Sequence, residues 1–483
     1  MPVSTAKAGD EVPAPSWRGI WKVASVAILG SFISQLDATI VNLSLPVLTR
    51  TFHSSLHIIH WVISGYLLAL ALILPLNGWL VDRIGAKQVY IWCFAAFTLA
   101  SALCGLAWSA PSLIGFRVLQ GLSGGLLAPM TQMMMARIAG PKLAQVVGFS
   151  AMPVLLAPIL GPVAAGAILQ YASWRWLFLI NVPVGIAAIV IALAFLPADR
   201  DTVRRRSLDA VGLALLSPGL VALLYAFDRL PGAAGMVPLA IATVLLTGFL
   251  VWIQRRGRMA LINPMLFADR AFSTAVGVQF LSNGVGFTGQ LLLPVFLMQA
   301  CGQQPAQIGF LLAPQGLGMM CGYPSMGYLT DRFGVRPVSC TGALLALFAT
   351  LALTWIGSRD LVNWAFMLAL FVRGMGLSAI GVPSVSAAYA AVARDDLPMA
   401  STAINVIQRL GGPALTTVMS AFLAWRSATI PWGTSHSIYV EAFLLLAAFH
   451  MAMVVMALQL PWKIGSGPDV RGAETRIECD VPG

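Results

Sequence analysis

Charge is what this sequence has least of. Only 10% of its 483 residues are Asp, Glu, Lys or Arg, where a soluble domain carries about a quarter. With 58% hydrophobic residues, that scarcity excludes an ordinary soluble enzyme and points to a chain whose solvent is lipid. Other absences narrow the class. No Gly-rich loop has the Walker spacing, which removes ATP as the energy source, and no catalytic constellation or cofactor motif stands out. The six cysteines and five histidines show no zinc-ligand spacing, so no metal or cofactor is expected; Cys93, Cys104, Cys301, Cys321 and Cys340 read as small apolar fillers. His53, His57 and His60 share one helical face, as a solvated helix start or a metal or pH-sensing cluster would. No run alternates polar and apolar residues, which argues against membrane strands.

What the chain does have is long apolar stretches. Fourteen are long enough to span a hydrocarbon core of about 30 Å: residues 19–48, 57–80, 88–109, 111–136, 144–171, 176–197, 208–227, 236–254, 271–299, 305–329, 337–357, 361–391, 398–425 and 438–460. Lipid offers backbone no hydrogen bonds, so these are predicted helices and the fold class is an all-α membrane protein. The first stretch has no small-residue cleavage site and is expected to be retained. With the N-terminus inside, 21 of the 29 Lys and Arg residues fall on that side; five (Arg50, Arg175, Arg229, Arg359, Arg426) fall on the other, and three lie within spans. That bias predicts cytoplasmic termini. A basic inner rim facing anionic lipid also accounts for the net charge of +11 without a nucleic-acid partner.

The chain repeats itself. Gly78-Trp-Leu-Val-Asp82-Arg83-Ile-Gly85-Ala-Lys87 returns 249 residues later as Gly327-Tyr-Leu-Thr-Asp331-Arg332-Phe-Gly334-Val-Arg336, and Leu45-Pro46-Val47, Pro75, Arg117 and Gly161-Pro162 have counterparts at similar offsets. Two six-helix halves joined directly would repeat at roughly 200 residues. The excess lies in residues 198–270, read as an inserted helix pair without buried charge, packing on the lipid side. The layout is therefore a cytoplasmic tail 1–18, a half 19–197, the insertion 198–270, a half 271–460 and a tail 461–483. Duplicated halves of this kind commonly enclose a transport pathway.

One acid lies deep in a span: Asp37. Its retention in lipid marks it as the proton site, with a hydrogen bond between helices as the structural alternative, and Thr39 and Asn42 as polar neighbours. Arg117, Arg373 and Arg409 also lie within spans and must face a cavity, a carboxylate or carbonyls. Arg117, in the same half, is the natural partner of Asp37. One acid against three cations predicts a field that favours neutral or weakly acidic hydrophobic cargo. In the fifth span Ala157, Gly161 and Ala165 make a flat stripe for close helix contact, while Pro153, Pro158 and Pro162 weaken its ladder.

These motifs together resemble the major facilitator superfamily. Gly78-x-Leu-x-Asp-Arg-x-Gly-x-Lys is similar to its signature loop, and Arg117 to Gly121 to its fourth-helix motif. The fifth span resembles the antiporter motif of exporters, with alanines at 157 and 165 where glycines are usual. Ser173-Trp-Arg-Trp-Leu-Phe-Leu-Ile-Asn181-Val-Pro183-Val-Gly185 and the Asp37 segment resemble the fourteen-helix drug:proton antiporter branch of EmrB-like and QacA-like exporters. The resemblance implies proton coupling at Asp37 with Arg117, and a cytoplasmic gate at Gly78, Asp82, Arg83, Gly85, Lys87, Asp331 and Arg332. It also implies an antiport helix marked by Gly148, Gly161, Pro162 and Gly166. Thr39, Asn42, Gln120, Arg373, Asn405, Gln408 and Arg409 are cavity candidates. One departure is Asn405-Val-Ile-Gln408-Arg409 where the branch commonly has Asn-x-x-Arg-Gln, a displacement of about 100° around the helix. The expected partners are protons, a small-molecule substrate, membrane lipid and, in a tripartite pump, a periplasmic adaptor and outer-membrane channel. A dedicated exporter of one metabolite, siderophore or antibiotic is the alternative; an uptake symporter or a non-transporting sensor fits less well.

Overall fold

The computed structural model describes residues 17–196, 207–230, 232–357, 362–429 and 435–463, and among them there is no strand. Residues 1–16 and 464–483 of the tails, Arg204 to Arg206 and the side chains of Asn42 and Pro162 lie outside the described residues. Fourteen helical rods follow one another: α1 (Trp17–Ile40), α2 (Leu56–Ile84), α3 (Ala86–Gly105), α4 (Ala110–Ala139), α5 (Leu143–Tyr171), α6 (Trp176–Phe195), α7 (Ala210–Arg229), α8 (Met236–Arg256), α9 (Arg270–Gln299), α10 (Pro305–Phe333), α11 (Val335–Gly357), α12 (Asn363–Ala390), α13 (Leu397–Thr429) and α14 (Ser435–Ala457). Eleven helices among the described residues are long and apolar enough to cross a membrane. Large apolar side chains such as Val163, Val190, Val244, Phe348 and Leu368 stand exposed on them, a surface that belongs in lipid. The first apolar stretch is not one helix to residue 48: α1 ends at Ile40, a 3-10 turn covers Val41–Ser44, and a short helix runs Leu45–Thr51, where Pro46 sits without losing an internal bond.

The repeat is visible in detail. Gly85 (φ 89°) and Gly334 (φ 95°) end α2 and α10 in a backbone region that side chains rarely tolerate. Just beyond each, a basic residue reaches the last helix of its own half. Lys87 Nζ donates to the carbonyls of Leu193 (3.1 Å) and Leu196 (2.7 Å) at the end of α6, and Arg336 Nε donates to the Leu460 carbonyl (2.6 Å) after α14. Both satisfy orphan carbonyls at a helix C-terminus. Lys87 thus braces its half as well as lying in the repeated loop.

Helices α7 and α8 pack on each other, and α7 packs against α2 and α13, with Trp61 stacked on Tyr225 at 6.1 Å. The expectation that this pair carries no buried charge is overturned. Asp209 is buried at the start of α7 and accepts bonds from Gly212 N (3.0 Å), Trp252 Nε1 (2.9 Å) and Leu261 N (3.0 Å), with Arg256 Nε 3.7 Å away. One carboxylate caps α7 and pins it to the end of α8. Replacing it strands two donors as well as removing the cap, so Asp209→Ala is expected to cost about 2 kcal/mol or more. A thermal-unfolding midpoint equal to wild type in purified protein would contradict this.

The halves meet at one end. Gly78 N donates to Thr402 Oγ1 (3.1 Å), Gln145 Nε2 to Asp331 Oδ2 (2.5 Å), Ser401 Oγ to the Pro129 carbonyl (2.9 Å) and Asn405 Nδ2 to Gln132 Oε1 (3.2 Å), while Tyr389 Oη reaches Gln132 Oε1 at 3.4 Å. Each lies at the end of the bundle that carries the two repeated loops.

Candidate functional site

Four helices of the first half converge on Asp37, which has no exposure. From α4, Arg117 Nη1 donates to Asp37 Oδ2 at 2.6 Å and Gln120 Nε2 to Asp37 Oδ1 at 3.0 Å; from α6, Asn181 Nδ2 donates to the same Oδ1 at 2.8 Å. Ser101 of α3 accepts from Gln120 Nε2 (3.1 Å) and Asn181 Nδ2 (3.2 Å) and donates to the Phe178 carbonyl (2.9 Å). Arg117 is completed by the Val62 carbonyl (Nε, 3.1 Å), by Gln120 Oε1 (2.7 Å) and by the Tyr66 ring, whose centroid lies 4.0 Å from its Cζ. Such an approach needs α2 and α4 nearly in backbone contact, and Gly121 permits it: a methyl there would meet the Tyr66 carbonyl at 2.5 Å.

The carboxylate acts only as an acceptor, and three N–H groups point at it. A buried charge survives only when so compensated. The arrangement therefore suits ionised Asp37, and protonation would turn one oxygen into a donor facing donors. The charge of this carboxylate thus bears on the fit of α1 against α4 and α6.

The fifth-helix stripe sets α1 in place. Ala157 and Ala165 are fully buried; Thr39 Oγ1 donates to the Ala157 carbonyl at 3.4 Å, and any side chain on Gly161 would strike Thr39. Gly148 plays a different part, lying against the Tyr323 carbonyl of α10 in the other half. Gly166 has open space beside it, with Leu43 at 4.0 Å.

At the joined end, Asp82 is buried on the α2 segment that packs against α13, whereas Arg83 is exposed with its guanidinium 5.5 Å from the Trp79 ring. Asp331 is held by Gln145, and Arg332 Nη1 reaches Tyr328 Oη at 3.4 Å.

Several cavity candidates prove to be in closed packing. Gln120 belongs to the Asp37 cluster. Arg373 is fully buried, donating to Gln315 Oε1 (2.7 Å) and the Val285 carbonyl (3.1 Å); it faces protein rather than a cavity. Asn405 is buried in the seam, bonded to Gln132 and the Ser401 carbonyl. Thr39 bonds its own helix and α5, while Gln408 and Arg409 are half-buried. Asn181 and Ser101 were not singled out as site residues. An Asn inside an otherwise apolar span is a signal that could have found the first; a lone Ser offers none.

A duplicated helical bundle in lipid, its halves joined at one end, with an ion pair buried inside a span, has the architecture of a membrane transporter of small molecules. The sequence matches the Major Facilitator Superfamily over residues 27–293 and 275–469, and the chain belongs to that family. It is 35% identical over 418 residues to a Mycobacterium tuberculosis protein named multidrug resistance protein B homolog, covering 84% of this chain and 77% of that one. It is 29% identical over 475 residues to the Klebsiella pneumoniae protein MdtD, named for multidrug resistance, covering 95% and 98%. In fold it is similar to the human organic anion transporter MFSD10 (TM-score 0.64, 15% identity, 91% and 99% covered) and to the proton:xylose symporter XylE (TM-score 0.61, 15% identity, 90% and 96% covered).

Proposed function

We propose that this integral membrane protein is a proton-coupled antiporter that exports hydrophobic or amphiphilic toxic compounds across the bacterial inner membrane, with all fourteen rods spanning it and both termini in the cytoplasm. The observation that carries the reading is the closed cluster around Asp37, a single titratable carboxylate whose charge state decides how α1 fits α4 and α6. The names of the relatives and the fifth-helix stripe support export. On this topology the joined end of the bundle is cytoplasmic, so the conformation described is sealed towards the cytoplasm. The next event in the cycle is proton uptake by Asp37 from the outer side as cargo leaves, which loosens the Arg117 contact and lets the halves rock about the site. An adaptor and outer-membrane channel would extend the same export path.

Everted vesicles loaded at acid pH test this reading with a fluorescent hydrophobic amphiphile. Accumulation should follow the imposed gradient, stop when the gradient is collapsed, and ignore ATP. Equal accumulation without a gradient, or accumulation driven by ATP, would remove proton coupling.

A further inference from the structure

Two of the three arginines in the helical core are held by side-chain hydrogen bonds, although the buried Nε of Arg373 finds no acceptor. Arg117 is closed by Asp37, Gln120 and the Val62 carbonyl, and Arg373 is held by Gln315 and the Val285 carbonyl. Arg409 is not. Among the described residues it makes no hydrogen bond and no ion pair, and it is half-buried rather than sealed. The buried acids among the described residues are Asp37, Asp82 and Asp209. The first is taken by Arg117, the second lies at the seam, and the third is in the insertion.

Helical register shows where Arg409 points. Pro398, Thr402, Asn405 and Arg409 follow at spacings of four, three and four, on one face of α13. Thr402 and the Pro398 carbonyl lie against Gly78, and Asn405 bonds Gln132, all in the first half. Arg409 therefore faces the first half one turn, about 5.4 Å, beyond the seam. An arginine at 408 would instead sit over Ile404, which is buried in the apolar core. The one-residue displacement seen in the sequence thus sets a permanent cation on the face of α13 turned to the first half, one turn beyond the seam.

A guanidinium stays charged at any accessible pH, and in surroundings poor in water it needs acceptors; Arg373 has an amide oxygen and a carbonyl, whereas Arg409 has neither. We infer that Arg409 holds the anionic group of the cargo, and that the cargo class includes amphiphilic organic acids carried as carboxylates. This rests on the transport reading above. The carboxylate takes the free N–H donors of the guanidinium in charge-assisted bonds, and the apolar body of the cargo lies between the halves.

The test is direct binding to purified protein in detergent, with no proton gradient, so a failure of proton coupling does not decide it. The probes are biphenyl-4-carboxylate and its neutral carboxamide, titrated by tryptophan fluorescence. Wild type should bind the carboxylate saturably and more tightly than the amide. Arg409→Gln should weaken the carboxylate about tenfold or more, the scale of a lost charge-assisted pair, weaken the amide far less, keep the wild-type thermal-unfolding midpoint, and be partly rescued by Arg409→Lys. Equal loss of both probes, an unchanged carboxylate affinity, or no saturable carboxylate binding by wild type would overturn the assignment.

Discussion

Asp37→Asn is expected to reduce gradient-driven export to below about a hundredth of wild type, the scale seen when a proton-transfer group is removed, while cargo exchange without a gradient persists. The amide cannot exchange a proton at any accessible pH. It also cannot reproduce the acceptor pattern: with its oxygen towards Arg117, its NH2 faces Gln120 and Asn181; reversed, it faces the guanidinium. Some loss of stability is therefore expected, because removing one partner leaves a buried charge under-compensated. Asp37→Glu keeps the chemistry with a longer reach and should retain part of the coupling. Proteoliposome efflux under an imposed pH gradient, compared with counterflow in the same liposomes, separates the two activities. Near-normal gradient-driven efflux by the amide variant would contradict the coupling role.

Gly148→Leu and Gly327→Leu should each lower transport at least about tenfold by preventing closure of the joined end. At these positions α5 and α10 touch through backbone: Gly148 lies against the Tyr323 carbonyl and Gly327 against Gln145, whose side chain holds Asp331. Overpacking such a contact costs about 1–3 kcal/mol, enough to move a two-state equilibrium about 5- to 150-fold away from the sealed conformation. Ser401, buried against the Pro129 carbonyl, reports the seal. In a background with the native cysteines replaced, Ser401→Cys should react with an aqueous maleimide at least about tenfold faster once either leucine is present. Unchanged labelling together with unchanged transport would show that these contacts do not control closure.

The carboxylate at the centre of this account was legible in the sequence because lipid makes ionisable residues rare, leaving Asp37 and Arg117 conspicuous in the same half. The repeated loop was legible too, since Gly85 and Gly334 occupy a conformation open chiefly to glycine. Arg373 was harder to read. Sequence alone requires that it be compensated, and the structure supplies Gln315 and a carbonyl where Arg117 has a carboxylate. The carbonyl belongs to Val285, which stands at the offset of the Leu-Pro-Val landmark from Asp37. Asp209 was missed because its burial comes from partners 43 and 52 residues away, Trp252 and Leu261, which no local pattern announces. Which end of the bundle is sealed is not encoded in any motif, because one sequence must serve both conformations.

Proton release on cargo binding tests the central claim most directly. Detergent-purified wild-type protein in weak buffer at the pH of half-maximal transport, with a neutral transported compound added, should release protons into the medium. Asp37→Asn, binding the same compound, should release none. Equal release from the two proteins would contradict the assignment of Asp37 as the coupling carboxylate.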